Sequence, residues 1–265
     1  MQRGVTSLPD SLVKLYNLQA LIFYFIAWFP MFPKGFNKLV NLRHICAGDH
    51  AIGIPLGLGM LTCLRTLPTI DAGAEWGGKL SELQNLTKLK ERLKIESLQH
   101  VAVEDAKKVN LGMQKNINKL VLKWYGPDPD LVENEKMVLE ALQPHANLGT
   151  LRIVGYNAKE LPSWVREMTG YRRSPLGNLL RLDIDSCHEL DHLPTSVKHL
   201  VSLKELLIFY CENATSFPNH LECLTSLRQL ELIRCDKMEN ITADIAPLVR
   251  LRKLSIISCR SMTCL

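Results

Sequence analysis

The stretch LRKLSIISC, Leu251 to Cys259, decides how the chain is read. Its apolar residues Leu251, Leu254 and Ile256 stand at relative positions 1, 4 and 6, and Cys259 stands at position 9. The same spelling recurs upstream as Leu227, Leu230, Leu232 and Cys235, as Leu203, Leu206, Ile208 and Cys211, and as Leu179, Leu182, Ile184 and Cys187. Each set lies 24 residues from the next (179, 203, 227, 251). Further columns hold the phase: Leu190, Ala214, Met238 and Met262; Leu193, Phe217, Ile241 and Leu265; Val197, Leu221 and Ile245; Leu200, Leu224 and Leu248. A fixed period of this length is the mark of a repeat architecture, in which one unit cannot bury its own apolar face and stacked units can.

The pattern within a unit gives its shape. Positions 4 and 6 have the period of two that belongs to a short strand with one buried face. The return, as in LPTSVKHLVSL from Leu193, has apolar residues three or four apart, which suits one helical turn or a 3₁₀ segment. Parallel strands stack about 4.8 Å apart. The bulkier return segments need more room, so the stack curves with the sheet on its concave side. The cysteine position turns the chain out of the strand, where a small thiol can meet backbone groups that need partners. This residue pattern resembles a leucine-rich repeat: an α/β solenoid with a parallel β-sheet on the concave face and short helices or 3₁₀ turns on the convex side.

Earlier units are looser. Leu148, Leu151 and Ile153 precede Tyr156 at the cysteine position, and Ile117, Leu120 and Leu122 precede Tyr125. Leu18, Leu21 and Phe23 lie in phase with Leu42, Ile45 and Ala47; Leu64 and Leu67 begin another unit, and Leu93 with Ile95 marks a further strand. Residues 73–90 read as a loop and a short helix with Leu80, Leu83 and Leu86 on one face. Residues 103–114 read as a helix with Ala106, Val109 and Met113 inward. Residues 126–136, GPDPDLVENEK, read as an acidic loop before a short helix ending at Leu142. Asp128, Asp130, Glu133 and Glu135 of that loop are either solvated or paired with basic residues of another domain. The organisation expected is one repeat domain over 1–265: N-terminal repeats over 1–72, irregular helical insertions over 73–116, long repeats with the acidic loop over 117–178, and regular repeats over 179–265. The chain starts and stops in mid-repeat, so both ends are expected to be uncapped and the chain a piece of something longer.

Composition narrows the function. A net charge of +5, dispersed along the chain, and 6% aromatic residues do not make a nucleic-acid surface. The apolar run Leu18 to Pro33 is too short to span a bilayer and is broken by Pro30 and Pro33. No signal-peptide core opens the chain, which points to the cytoplasm. Of the eight cysteines, four share one repeat position and no CxxC pair exists, so reduced, structural thiols are expected and no metal. The sequons at Asn85, Asn213 and Asn240 are discounted without a signal sequence. The eight histidines join no acid or cysteine in a catalytic motif, so no catalytic residue is assigned. GIPLGLGMLT, residues 53–62, lacks the GK[ST] of a phosphate-binding loop, and its Ile54, Pro55, Leu58, Leu61 and Leu64 keep the repeat phase. No cofactor is therefore placed on this chain.

Binding then falls to the strand positions that face outward, taken as 2, 3, 5, 7 and 8. Phe209, Ile233 and Ile257 would form an apolar ridge, with Tyr210 and Arg234 beside it, Glu231 on the same face, and a basic rim at Lys204, Arg228 and Arg252. Aromatic and arginine anchors favour a protein-binding strip. The competing reading is a solvated charge row with apolar residues tucked under the strand edge.

LKIESLQHV, VEDAKKVNL, INKLVLKWYG, VLEALQPHANLGTLRIVGY and ELPSWV, with LPDSLVKLYNLQAL and FPKGFNKLVNLRHI before them, resemble the repeat region of plant intracellular immune receptors. These are the nucleotide-binding, leucine-rich-repeat disease resistance proteins of the coiled-coil class. The resemblance implies a defence role in the cytoplasm through protein partners: a pathogen effector, a guarded host protein, or the nucleotide-binding module of the same receptor, to which ADP or ATP binding would belong. The alternatives are a fragment of an extracellular repeat receptor and a truncated, non-functional product.

Overall fold

The computed structural model describes residues 8–23, 31–48, 50–74, 77–166, 176–193, 199–215, 221–239 and 248–262. Among them, eleven strands run along the chain: β1 (Ala20–Ile22), β2 (His44–Cys46), β3 (Ala51–Gly53), β4 (Thr69–Asp71), β5 (Glu91–Glu96), β6 (Ile117–Lys123), β7 (Thr150–Val154), β8 (Arg181–Asp185), β9 (Glu205–Phe209), β10 (Gln229–Ile233) and β11 (Lys253–Ile257). β3 to β11 form one sheet in chain order, every pair parallel, and β1 pairs with β2. A single bridge, His44 to Thr66, runs from β2 toward the large sheet. The returns are 3₁₀ turns and three short helices, α1 (Val103–Val109), α2 (Val132–Ala141) and α3 (Ser163–Arg166). This is a leucine-rich repeat solenoid.

The register follows the leucine phase. Leu151, Leu182, Leu206, Leu230 and Leu254 stand in one row, and Ile153, Ile184, Ile208, Leu232 and Ile256 in the next. Both rows are buried through β10. Each buried leucine contributes roughly 1.5–3 kcal/mol, so the column sets the register firmly. In β11 nothing stacks on the far side among the described residues, and Leu254 is 41% exposed. The other columns behave alike: Leu190, Ala214 and Met238, and Leu200, Leu224 and Leu248, are buried. Val197, Phe217, Ile241, Ile245 and Leu265 lie outside the described residues, as does Asn240.

The cysteine column does what its position requires. Cys211 Sγ donates to Phe209 O at 3.5 Å and to Ile184 O of the preceding unit at 3.9 Å. Cys235 reaches Ile233 O and Ile208 O, and Cys259 reaches Ile257 O and Leu232 O, at 3.7–3.9 Å. Each thiol thus ties the strand end of its own unit to that of the unit before. Tyr156 takes this place in the unit before that of Cys187; it is buried and its hydroxyl donates to Glu160 O. The seven described cysteines are free thiols.

Several local readings need correction. Leu67 is only half-buried, and Ile70 takes the inward place, in register with Ile52 and Ile95. The turn after β6 is one residue shorter than supposed: Trp124, not Tyr125, is the buried anchor, edge-on to Tyr156 at 5.4 Å, while Tyr125 faces solvent. Met113 is 68% exposed; α1 ends at Asn110, which has a left-handed backbone, and Leu111 is buried instead. Leu80, Leu83 and Leu86 are all buried, on a 3₁₀ rather than an α-helical turn. The acidic segment is not a loop throughout, because α2 begins at Val132 and carries Glu133 and Glu135. Glu135 is fully buried.

Candidate protein-binding surface

In each strand, positions 4 and 6 point into the core, so positions 3, 5 and 7 project from the opposite face of the sheet. The ridge read from the sequence exists in register: Phe209 pairs with Ile233, and Ile233 with Ile257. Ile257 is exposed, and Phe209 and Ile233 are half-exposed. Lys204, Arg228 and Arg252 are exposed at position 2, where their backbones continue the ladder: Arg228 N–H donates to Lys204 O, and Arg252 N–H to Arg228 O, both at 2.8 Å. Tyr210 and Arg234 sit side by side, with the Arg234 guanidinium 5.7 Å from the centre of the Tyr210 ring.

Position 8 has a further property that spacing did not reveal. Ser186, Tyr210, Arg234 and Ser258 all take the left-handed backbone, with φ of 56°, 55°, 55° and 58°. Gly155 occupies the same place one unit earlier with φ of 68°. The conformation is held by the last rung of the ladder, in which Ser186, Tyr210 and Arg234 N–H donate to Phe209, Ile233 and Ile257 O. It turns these side chains out of the strand at the lip of the sheet.

Position 5 is not open, contrary to the sequence reading. Asp183, Leu207 and Glu231 are buried by the side chains around them. Glu231 is ion-paired with Lys253 and accepts from Gln229 Nε2 at 2.9 Å, so it positions neighbours rather than offering a free carboxylate.

The ridge reading also left out a polar part of the face, centred on the looser units. A depression of about 300 Å³ lies across β5 to β8, lined by Arg92, Lys94, Lys119, Lys123, Arg152 and Arg181, with Val121, Thr150, Val154, Asp183 and Asp185. Arg181, Asp183 and Asp185 are positions 3, 5 and 7 of the first regular unit; the other eight residues hold those positions in the looser units, where the same column-by-column reading would have found them. Arg152 Nη2 donates to Asp185 Oδ2 at 2.6 Å, and Arg181 Nη1 to Glu205 Oε2 at 2.7 Å. Asp183, 2% exposed, lies between the two arginines at 3.4–3.5 Å through Oδ2, while its Oδ1 is buried with no hydrogen-bond partner. Burial pushes its carboxyl above the usual range, opposed by Arg152 and Arg181.

The glycine-rich turn has its donors occupied. Gly57 and Gly59 N–H donate to the two carboxylate oxygens of Glu82 at 3.1 and 2.8 Å, and Ile54, Leu58, Leu61 and Leu64 are in the core. Among the described residues, no group of three or more His, Cys, Asp or Glu is placed to hold a metal ion, and no helix is long and apolar enough to cross a membrane.

Comparison with known proteins agrees with this architecture. Residues 80–211 match the family model described as R13L1/DRL21 leucine-rich repeats. Disease resistance protein RGA2 of Solanum bulbocastanum is 37% identical over 138 residues, 51% of this chain. Putative disease resistance protein RGA1 of the same plant is 36% identical over 141 residues, and a putative disease resistance RPP13-like protein 1 of Arabidopsis thaliana is 30% identical over 149 residues, each over 53% of this chain. The match spans 14% of the length of each relative. Among solved structures, the leucine-rich repeat domain of the type III effector XopL aligns with a TM-score of 0.58 at 18% identity, over 93% of this chain and 80% of that one. A functional domain of InlJ from Listeria monocytogenes, described as including a cysteine ladder, aligns at 0.53 and 15% identity, over 99% and 58%. Through residues 80–211 the chain is similar to the R13L1/DRL21 leucine-rich repeats, and its repeats resemble in sequence those of plant disease resistance proteins.

Proposed function

We propose that this chain is the protein-recognition module of a plant immune receptor. It binds a pathogen effector or a guarded host protein on the open face of its sheet, and within a longer receptor it restrains a nucleotide-binding module. ADP or ATP would bind that module and not this chain, which acts without catalysis and in the cytoplasm. The observation that carries the reading is the continuous ridge Phe209–Ile233–Ile257, flanked by Tyr210 and Arg234 and rimmed by Lys204, Arg228 and Arg252, on a fold shared with disease resistance proteins. Exposed aromatic, aliphatic and arginine side chains on a rigid sheet bind a partner without first paying to order a loop.

The test is a two-hybrid screen of the chain against effector and host libraries, with interactors re-measured on purified protein. Phe209→Ala with Arg234→Ala is expected to weaken a true partner by at least about tenfold, the scale of two anchor residues. Interactors indifferent to this pair would refute the reading.

A further inference from the structure

We propose that the depression across β5 to β8 docks an acidic, extended segment of a partner protein. The partner's carboxylates would meet Arg92, Lys119 and Lys123, and one of its N–H groups would meet Asp183. The inference deepens the protein-recognition reading and rests on it.

Three observations converge on the depression. The first is charge: six cations line it against two carboxylates. Arg92, Lys119 and Lys123 make no ion pair among the described residues, and Lys123 lies 4.1 Å from the centre of the Tyr125 ring. Unpaired cations gathered on a low-dielectric concave wall focus a field that attracts anions. The second is the orphan acceptor. Asp183 Oδ1 is buried and unpartnered, while Oδ2 accepts from Arg181 Nη2 at 3.4 Å and lies 3.5 Å from Arg152 Nε, which has no hydrogen-bond partner of its own. A buried acceptor left open is destabilising, and a ligand donor would satisfy it. The third is the apolar floor. Val121 is in register with Arg152, and Val154 with Lys123, so cations alternate with aliphatic side chains along adjacent strands.

Together these features select among anions. A compact inorganic polyanion uses the cations, but it is repelled by Asp183 and Asp185 and gains nothing from Val121 and Val154. An acidic peptide supplies carboxylates for the cations, amide donors for Asp183 and aliphatic groups for the floor. The wall meets the ridge at β8, where Asp185 is the register partner of Phe209, but the unpaired cations Arg92, Lys119 and Lys123 stand on β5 and β6, at least three strands from β9, so the two patches are separable by mutation.

The experiment uses the full 265-residue chain and fluorescence anisotropy of a labelled decapeptide of alternating glutamate and valine. A lysine–valine peptide serves as control, and inorganic pyrophosphate as a second probe. The glutamate peptide is expected to bind, the lysine peptide not. Arg92→Glu with Lys119→Glu, checked for folding by circular dichroism, should weaken binding at least about tenfold, and added salt should weaken it further. Asp183→Asn removes a repelling charge, so it should strengthen pyrophosphate and not the peptide. Absent peptide binding, binding indifferent to the charge reversal, or pyrophosphate binding as tightly as the peptide to the unaltered chain would each overturn the proposal. Phe209→Ala with Arg234→Ala should leave the peptide unaffected. If partners need Phe209 and Arg234 while the peptide fails, only this inference falls; if the peptide binds while partners ignore those two residues, only the broader reading falls.

Discussion

Glu135 on α2 offers a strong test of how the irregular units are held. It is fully buried, and Asn157, just beyond β7, gives it three contacts: backbone N–H to Oε2 at 3.1 Å, and Nδ2 to Oε1 and Oε2 at 3.2 and 3.3 Å. The same Nδ2 donates to Gly126 O in the turn after β6. One carboxylate therefore ties the convex helix of one unit to the strand ends of two. Glu135→Ala strands the Asn157 N–H without a partner and leaves Nδ2 with only Gly126. An orphaned buried donor costs about 1–3 kcal/mol, and a lost bond to a charged acceptor about 1.5–3. Relief of the desolvated carboxylate gives part of this back. The expected net loss is about 2–4 kcal/mol. Trp164, whose Nε1 donates to Leu139 O on α2, and Trp124 are buried reporters of the region, so urea unfolding followed by tryptophan fluorescence reads it directly. Asn157→Ala and the double variant complete a cycle whose coupling should reach about 1.5 kcal/mol or more. A loss under about 0.5 kcal/mol, or two single effects that merely add, would refute the stapling argument.

Other consequences are equally direct. Burial raises the Glu135 carboxyl above its usual 4.5 against the pull of the Asn157 hydrogen bonds, and burial raises that of Asp183 likewise. The folded chain then holds these protons more tightly than the unfolded one, so their contribution is greatest below the ordinary carboxylate range and is lost as pH rises through the folded values. Comparing urea midpoints across mildly acid pH, Glu135→Gln should show a flatter decline than the unaltered chain, and an identical slope would count against it. Cys187, Cys211 and Cys235 are buried, and burial pushes the Cys235 thiol up, so iodoacetamide mapping on the native protein should leave these three unmodified while Cys46, Cys63 and Cys223 react. At the left-handed position of β8, Ser186→Gly should be close to neutral, whereas Ser186→Val should cost about 1–2 kcal/mol by chemical denaturation, because a branched side chain resists φ of 56°.

The regular units were legible because their signal is repeated. A leucine at position 4 that is buried in one unit is buried in its register partners, so Leu182, Leu206 and Leu230 predict one another, and the cysteine column followed the same rule. Tyr156 for cysteine was legible for that reason, and Trp124 was not. A one-residue change in the turn after β6 moves the buried anchor, and no period announces it. Met113 lost its place to Leu111 because α1 stops at Asn110, a local turn that helical spacing cannot foresee. Leu67 yielded to Ile70 in the same way.

The sequence by itself determined the parallel sheet, the rows that enter its core, and the ridge of Phe209, Ile233 and Ile257, because period and alternation are one-dimensional properties of the chain. Only the tertiary structure decided that position 5 is covered by its neighbours, that Glu135 leaves the acidic segment to bind Asn157, and that cations from β5, β6, β7 and β8 share a wall with an orphaned Asp183 oxygen. The physical reason is that burial and charge pairing depend on which side chains lie beside one another across strands. That adjacency arises only when units of unequal length stack, and the lengths of the irregular turns set it.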